Sequence, residues 1–316
     1  MNADDRIDLQ RRLASIIAAT PSANRVVIVG NSSAAFDLAQ SPPFIAGAAE
    51  LLGLYAEKSG GAVLPLIELA GVAPDVVVIA EDAGKERLLE ALASILPART
   101  RVVIGGFGHL AFQDETFERV RRAAILPSFA NGYPNCLVHI YQCLRNARRA
   151  GLDGCVAEFG MFKGGTTALI SRFIEEIGAD WKVYGFDTFD GFPPRRSILD
   201  MYAHPDCVFF DVDSVRAALS GRNVEVVEGD VVETASRLTG ERMVLSFIDT
   251  DNYTSASAIL DVVTDRTLVG GAIVFDHWTG VDRHLDTIGE RIAAKRLAAD
   301  DRFFNLHGTG AFLRVR

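Results

Sequence analysis

Short β-branched runs that end in an acidic residue recur along the second half of this chain, and they restrict its fold more than any other feature. Cys155–Phe159 ends in a glycine-rich turn, Lys182–Phe186 runs into Asp187, and Asn223–Glu228 runs into Gly229-Asp230. Met243–Ile248 runs into Asp249, and Gly271–Phe275 into Asp276. Continuous apolar runs of this length are those of strands buried on both faces of a parallel sheet. Helical stretches such as 166–177 separate them. The alternation predicts an α/β, Rossmann-like fold, in which ligands bind beyond the carboxyl ends of the strands. Two last runs, 303–307 and 311–315, are expected to pair as an antiparallel ending.

The first half repeats the alternation in a smaller form. An amphipathic helix reaches about Ala19, and the runs Arg25–Gly30, Asp75–Ala80 and Arg101–Gly105 read as parallel strands. Residues 84–96 read as a helix stopped by Pro97. The expected organisation is a small N-terminal α/β domain over 1–110, a helical linker over 111–150, and a larger domain over 151–316. Within the linker, Asn131–Pro134 breaks the chain before a helix over Leu137–Ala150. In the small domain Gly30–Ser33 follows a strand, where a nucleotide phosphate would sit. Gly105-Gly106 follows another, but no acidic ribose partner accompanies either. A scaffold, dimerisation or substrate-presenting role is therefore expected of it.

Composition excludes some partners. The 316 residues carry a net charge of −9 and a pI near 5.2. A surface that neutralises nucleic-acid phosphates must be basic, so a nucleic-acid partner is not expected. The apolar runs are strand-sized, well short of the roughly 20 residues that span a bilayer, so no membrane partner is expected either. The start of the chain is charged and lacks the apolar centre of a signal peptide. A soluble, cytoplasmic protein is expected, with a homo-oligomer left open. Cys136, Cys143, Cys155 and Cys207 show no metal-like spacing and read as reduced structural thiols.

Four successive strands that end in aspartate predict a shared site, although each aspartate alone also suits a turn or a helix cap. In the first turn, Glu158-Phe-Gly160-Met-Phe-Lys-Gly164-Gly165-Thr166, Gly160 turns the chain off the strand. Gly164 and Gly165 are expected to let the backbone approach a ligand and to open the next helix. The spacing differs from the GxGxxG of most nicotinamide enzymes. Asp187 stands where a carboxylate accepts both ribose hydroxyls of a nucleoside. Asp230 either faces an adenine or caps the helix that follows. Asp249, Asp251 and Asp276 bring three carboxylates together, and like charges so close need a cation or a raised pKa. A magnesium ion with oxygen ligands suits such a cluster, and so does a reading in which the aspartates only cap helices.

At these residues the chain resembles the macrocin O-methyltransferase family, with its mycinamicin and novobiocin sugar methyltransferases. The resemblance runs from about Leu137 to Gly280. It rests on Ala157–Gly165, Asp187-Thr-Phe-Asp-Gly-Phe-Pro193, Glu228-Gly-Asp230, Phe247-Ile-Asp-Thr-Asp-Asn-Tyr253 and Gly270–Asp276. It implies a class I methyltransferase domain that transfers a methyl group from S-adenosylmethionine to a hydroxyl of a small natural product or sugar, with magnesium. The candidate cofactor contacts are Glu158, Gly160, Gly164, Gly165, Thr166, Asp187, Thr188, Asp230 and Asp249. The resemblance makes Asp249 a metal ligand and Asp251 a candidate base. Where the family has two aspartates, this chain has Asp276 and His277. Histidine shifts metal preference away from magnesium, and its ordinary pKa suits a general base. The candidate metal set is thus Asp249, Asp276 and His277, and the candidate catalytic pair is Asp251 and His277. The loop from Gly191 to His204 is expected to wall the acceptor, or else to be a solvated crossover, and Trp278 is either an aromatic wall or core. Competing readings are a metal-independent N- or C-methyltransferase with His277 as base and a non-catalytic nucleotide-binding protein. A nicotinamide oxidoreductase is disfavoured by the first turn.

Overall fold

The computed structural model describes the chain except residues 20–23, 59, 111, 113, 131–135, 279–284 and 307. The Asn131–Pro134 break, His307 and the far end of the resemblance at Gly280 lie outside the described residues. The chain divides into two compact units, Met1–Gln113 and Asp114–Arg316.

The first unit consists of α1 (Ala3–Ala19), β1 (Arg25–Val29), α2 (Ser33–Ala39), α3 (Pro42–Ile45), β2 (Glu50–Ala56), β3 (Val63–Pro65), β4 (Val76–Ile79), α4 (Lys85–Ala93) and β5 (Arg101–Ile104). Its five strands are parallel, in the order β3-β2-β1-β4-β5. The runs expected as strands form β1, β4 and β5. Strands β2 and β3 escaped the sequence reading because their runs are interrupted by Gly53 and closed by Pro65. Alternate residues of the buried strands feed two cores. Val26, Ile28, Val76 and Val78 pack with Leu9 and Leu13 of α1 on one face, and Val27, Val29, Val77 and Ile79 with Leu88 and Leu92 of α4 on the other.

The second unit begins with α5 (Glu115–Arg122) and α6 (Cys136–Arg149). These helices, expected as linkage, pack on the second sheet: α6 lies against two of its strands and α5 against its first crossover helix. The cause is the apolar face of α6, where Ile140, Tyr141, Leu144 and Ala147 are buried. Next come β6 (Cys155–Phe159), α7 (Gly165–Glu176), β7 (Lys182–Asp187), α8 (Val212–Ala218), β8 (Val224–Glu228), α9 (Val231–Thr234), β9 (Met243–Ile248), α10 (Tyr253–Val263), β10 (Thr267–Phe275), α11 (Ile288–Ala298), β11 (Phe303–Asn305) and β12 (Ala311–Arg314). The sheet order is β11-β12-β10-β9-β6-β7-β8. Strands β6 to β10 are parallel, whereas β12 runs antiparallel to both β10 and β11. The order reverses between β6 and β9, which is where an open α/β sheet forms its crevice. Phe159, Phe186, Phe247 and Phe275 stand next to last or last in four central strands and are fully buried. Each contributes about 1.5–3 kcal/mol by leaving water, so the strand ends that carry the aspartates rest on a dense floor. All four cysteines are free thiols. Among the described residues no helix is long and apolar enough to cross a membrane.

Candidate active site

The glycine-rich turn after β6 is shaped by what its glycines touch. Gly160 has φ +89°, and a Cβ there would lie 1.8 Å from the Asp249 carbonyl oxygen. The turn after β6 and the end of β9 are therefore in backbone contact, which only glycine permits. Gly164 caps α7 at φ +78°. At Gly165 a Cβ would lie 1.8 Å from the Pro127 carbonyl oxygen, so its lack of a side chain admits the chain's own segment before α6. Ser128 of this segment shares a 2.7 Å hydrogen bond with Thr166.

Two carboxylates flank the turn. Glu158 is buried at the end of β6 and accepts a short hydrogen bond from the Thr167 hydroxyl. Burial pushes its pKa up to about 8 despite that bond, and the Asp187 and Asp276 charges add to the rise. Asp187 accepts the backbone N–H of Phe162 from the turn and that of Phe189 from its own loop, both at 2.8 Å. Burial raises its pKa against these donors. Beside it, the Thr188 hydroxyl donates to the Gly191 carbonyl. Asp230 does what a helix cap does, accepting from Val232 N–H at 3.0 Å, and it also pairs with Arg196 at 2.8 Å.

The other carboxylates meet around one imidazole. His277 Nε2 lies 2.8 Å from Asp251 Oδ1, 3.5 Å from Asp249 Oδ1 and 3.6 Å from Asp276 Oδ2. Burial alone would lower the His277 pKa, but hydrogen bonds to Asp249 and Asp251 and the Glu290 charge outweigh it and hold the ring well above its ordinary value. Asp249 moves the other way from a usual surface aspartate: burial and the neighbouring Asp276 push it far up. One ligand atom each from Asp249, Asp251 and His277 lies within 4.8 Å of the others, close enough to share a metal ion. Two carboxylate oxygens and an imidazole nitrogen are a donor set that divalent cations accept. The residues fit such an ion when the ring is neutral.

Asp251 reaches this point through an uncommon backbone. It sits at φ +62°, at the centre of a tight turn closed by Asn252 N–H to the Thr250 carbonyl at 2.6 Å. Glu290 of α11 holds the turn in place. Its Oε2 accepts the N–H of Thr250 and of Asp251, each at 2.9 Å, and its Oε1 accepts the N–H of His277 at 3.2 Å. Sequence reasoning missed Glu290, yet a signal existed: it lies on the buried face of α11 with Ala293, Ala294 and Leu297, where an acidic residue is out of place.

The loop between β7 and α8 is anchored beside this turn. Buried Asp200 accepts from Thr254 N–H at 2.8 Å, the Thr254 hydroxyl at 2.7 Å, and the N–H groups of Arg196 and Ser197 at 3.0 and 2.9 Å. Burial works against the charge, but these donors hold the carboxyl below its ordinary pKa. Tyr202 and Asn252 exchange a pair of hydrogen bonds. The segment is thus fixed in its middle, while Ile198 and Phe210 stay exposed. Trp278 packs against the core, edge-on to Phe312 at 5.0 Å.

In the first unit the expected phosphate position is filled by protein. Glu81 Oε1 accepts the N–H groups of Asn31 and Ser32 at 2.8 and 3.1 Å. Buried Lys85 likewise closes the Gly105-Gly106 turn, donating to both carbonyls at 2.7 Å. Glu81 thus takes the two amides expected for a phosphate, and the Lys85 ammonium is bound to carbonyls.

The model of the macrocin O-methyltransferase (TylF) family matches residues 113–314, more than half of the chain. The chain belongs to the macrocin O-methyltransferase family. It is accordingly an S-adenosylmethionine-dependent methyltransferase. Among solved structures it is similar to the O-methyltransferase NovP, at 20% identity over 56% of this chain and 78% of NovP, with a TM-score of 0.47. It is also similar to CalS11, a calicheamicin methyltransferase, at 20% identity over 66% of this chain and 97% of CalS11, with a TM-score of 0.46. No curated protein matches. The matched residues run from the start of the second unit nearly to its end, so the family signature and the sheet with the carboxylate cluster coincide.

Proposed function

We propose that the second unit methylates a hydroxyl of a small natural product or sugar unit, with Asp249, Asp251, Asp276 and His277 as its chemical centre. The observation that carries this reading is the convergence of three carboxylates on His277 Nε2 at the crevice of the sheet. S-adenosylmethionine supplies the methyl group. Glu158, the turn Gly160–Thr166 and Asp187-Thr188 form the proposed cofactor side, with Asp187 exchanging its backbone donors for ribose hydroxyls. Asp230 is the proposed adenine-side residue, a role it would share with its capping of α9.

Asp249 and His277 would hold a divalent cation together with Asp251, whose ligand atom lies at the same point, and Asp276, proposed from the sequence as a ligand, stands 3.6 Å from His277 Nε2. Such an ion supplies positive charge that lowers the pKa of an adjoining hydroxyl. His277 must lose its proton to become a ligand, so proton and cation compete for one place among the carboxylates. With the ring charged, or with its Nε2 given to a cation, Asp251 is the group left to receive the acceptor's proton; with the ring neutral and Nε2 free of metal, His277 can take it. The 2.8 Å contact between Asp251 and His277 Nε2 supports treating the two as one proton-handling pair.

The same contact favours a second reading, in which the imidazolium itself balances the carboxylates and no metal is used. Turnover of wild type and of Asp249→Ala and Asp276→Ala, each with added Mg2+, Mn2+ or chelator, separates the two. Rates indifferent to chelator and to both substitutions would sink the metal reading. Failure of adenosylhomocysteine to bind at millimolar concentration would sink the cofactor assignment. For the first unit we propose a scaffold, dimerisation or substrate-presenting role, because its strand-end turns are closed by Glu81 and Lys85.

A further inference from the structure

Two separate loops must be in register for the cluster to exist. One follows β9 and bears Asp249 and Asp251, and the other follows β10 and bears Asp276 and His277. Strand pairing between β9 and β10 runs to Phe275 and Ile248, and the Asp276 N–H adds a last ladder bond to the Ile248 carbonyl at 3.0 Å. Beyond that point the backbones diverge, and the N–H groups of Thr250, Asp251 and His277 turn inward to one acceptor, the Glu290 carboxylate.

Several properties of Glu290 exceed what stability requires. It is 0% exposed, in a helix face otherwise built of small and apolar residues. A buried carboxylate is costly unless its oxygens are satisfied, and here both oxygens accept backbone amides from the two different loops. One of those amides belongs to Asp251, whose left-handed backbone is uncommon for a residue other than glycine. Without an acceptor at Oε2, the N–H groups of Thr250 and Asp251 lose their partner, and the turn at φ +62° keeps its own Asn252 N–H to Thr250 carbonyl bond but loses its tie to α11. Gly289, next in sequence, supports the same placement: a Cβ there would meet the Leu199 carbonyl at 2.2 Å and the Tyr253 amide at 3.0 Å. Helix α11 is thus pressed into backbone contact with the loop after β7 and with the start of α10.

We propose that Glu290 is the positioning residue of the methyl-transfer centre, a carboxylate that ties the loops after β9 and β10 together so that Asp249, Asp251 and His277 meet at one point. It touches no reacting atom and acts through the backbone of the residues that do. The inference rests on the reading of this cluster as the catalytic centre.

The chemistry of glutamine provides the test. Glu290→Gln keeps the shape but offers one acceptor oxygen, so its NH2 group faces at least one of the backbone N–H donors. Glu290→Asp keeps the charge but is one methylene shorter and reaches one loop only. Crystal structures of the wild type and both full-length variants, calorimetric affinities for Mn2+ and adenosylhomocysteine, and turnover with an accepted substrate are the measurements. Expected in Glu290→Gln are loss of the Asp251–His277 contact, Mn2+ affinity or kcat reduced by about 10–100-fold, as when an outer partner of a metal site is removed, and unchanged adenosylhomocysteine affinity. Glu290→Asp should recover part of the loss, and it serves alone if the glutamine variant does not fold. A Glu290→Gln protein that keeps the Asp251 turn, the contact and wild-type kcat would overturn the proposal. Wild type that binds no adenosylhomocysteine would overturn the functional reading instead, while the crystal structures would still decide whether Glu290 holds the loops.

Discussion

At the scale of single residues, this site is a problem of charge. Glu158, Asp187, Asp249 and Glu290 are all pushed towards the protonated form, mainly by burial, while His277 is pushed towards the charged form. Protons are thereby shared among the groups where a cation is absent. Glu158 gives a measurable consequence in the free protein. Its folded pKa of about 8 lies above the ordinary value of 4.5, so its contribution to stability is present in full below 4.5 and is lost as pH rises through about 8. Melting temperatures of wild type and Glu158→Gln should therefore diverge with pH, the variant gaining on wild type between mildly acidic and alkaline buffer. Parallel curves would contradict the buried, proton-holding Glu158. For the proton-handling pair, Asp251→Asn and His277→Asn should each lower kcat by about 10²–10⁴-fold, the usual worth of a general base. The one that keeps full rate in a kcat–pH profile is not the base.

At the scale of elements, turns and loops matter more than the strands they join. The contact of Gly160 with the Asp249 carbonyl makes Gly160→Ala a severe change. The left-handed backbone alone costs an L residue about 1–2 kcal/mol, and the methyl group adds a clash with a backbone atom that cannot move without shifting Asp249. Thermal unfolding should show a loss larger than the backbone cost, with adenosylhomocysteine binding weakened in the same variant. The loop after β7 offers a milder test. Asp200→Ala removes four hydrogen bonds, two that pin the loop to Thr254 of α10 and two that hold the loop's own turn. Acceptor KM should rise while adenosylhomocysteine affinity stays at the wild-type value, and an unchanged KM would mean that the loop is a crossover without contact to the acceptor.

At the scale of the whole molecule, each unit has its own sheet and its own core. Every proposed site residue, and all but the first residue of the family match, fall within Asp114–Arg316. That fragment should fold alone and bind adenosylhomocysteine as the full chain does, measured by calorimetry, because helices α5 and α6 are part of its packing. A fragment starting at 151 should not, since it lacks the buried face of α6 and the segment of Pro127 and Ser128 that meets α7.

The amino-acid sequence by itself determined the strand-helix alternation, the central strands, and the acidic residue at each strand end. These are local properties: β-branched runs and strand-end aspartates are written in consecutive residues. The family was legible for the same reason, since its signature lies in short segments of fixed order. Tertiary structure decided which partners these residues meet in the free protein. Asp230 turned out to be occupied by a helix cap and Arg196, Gly165 by the chain's own Pro127, and the Gly30–Ser33 turn by Glu81. Glu290, 39 residues after Asp251, and Asp200, 54 before Thr254, became visible only when folding brought them to the backbone amides they bind. Periodicity reports which face of an element is buried, but which distant donor a buried carboxylate will meet depends on how the elements close around it.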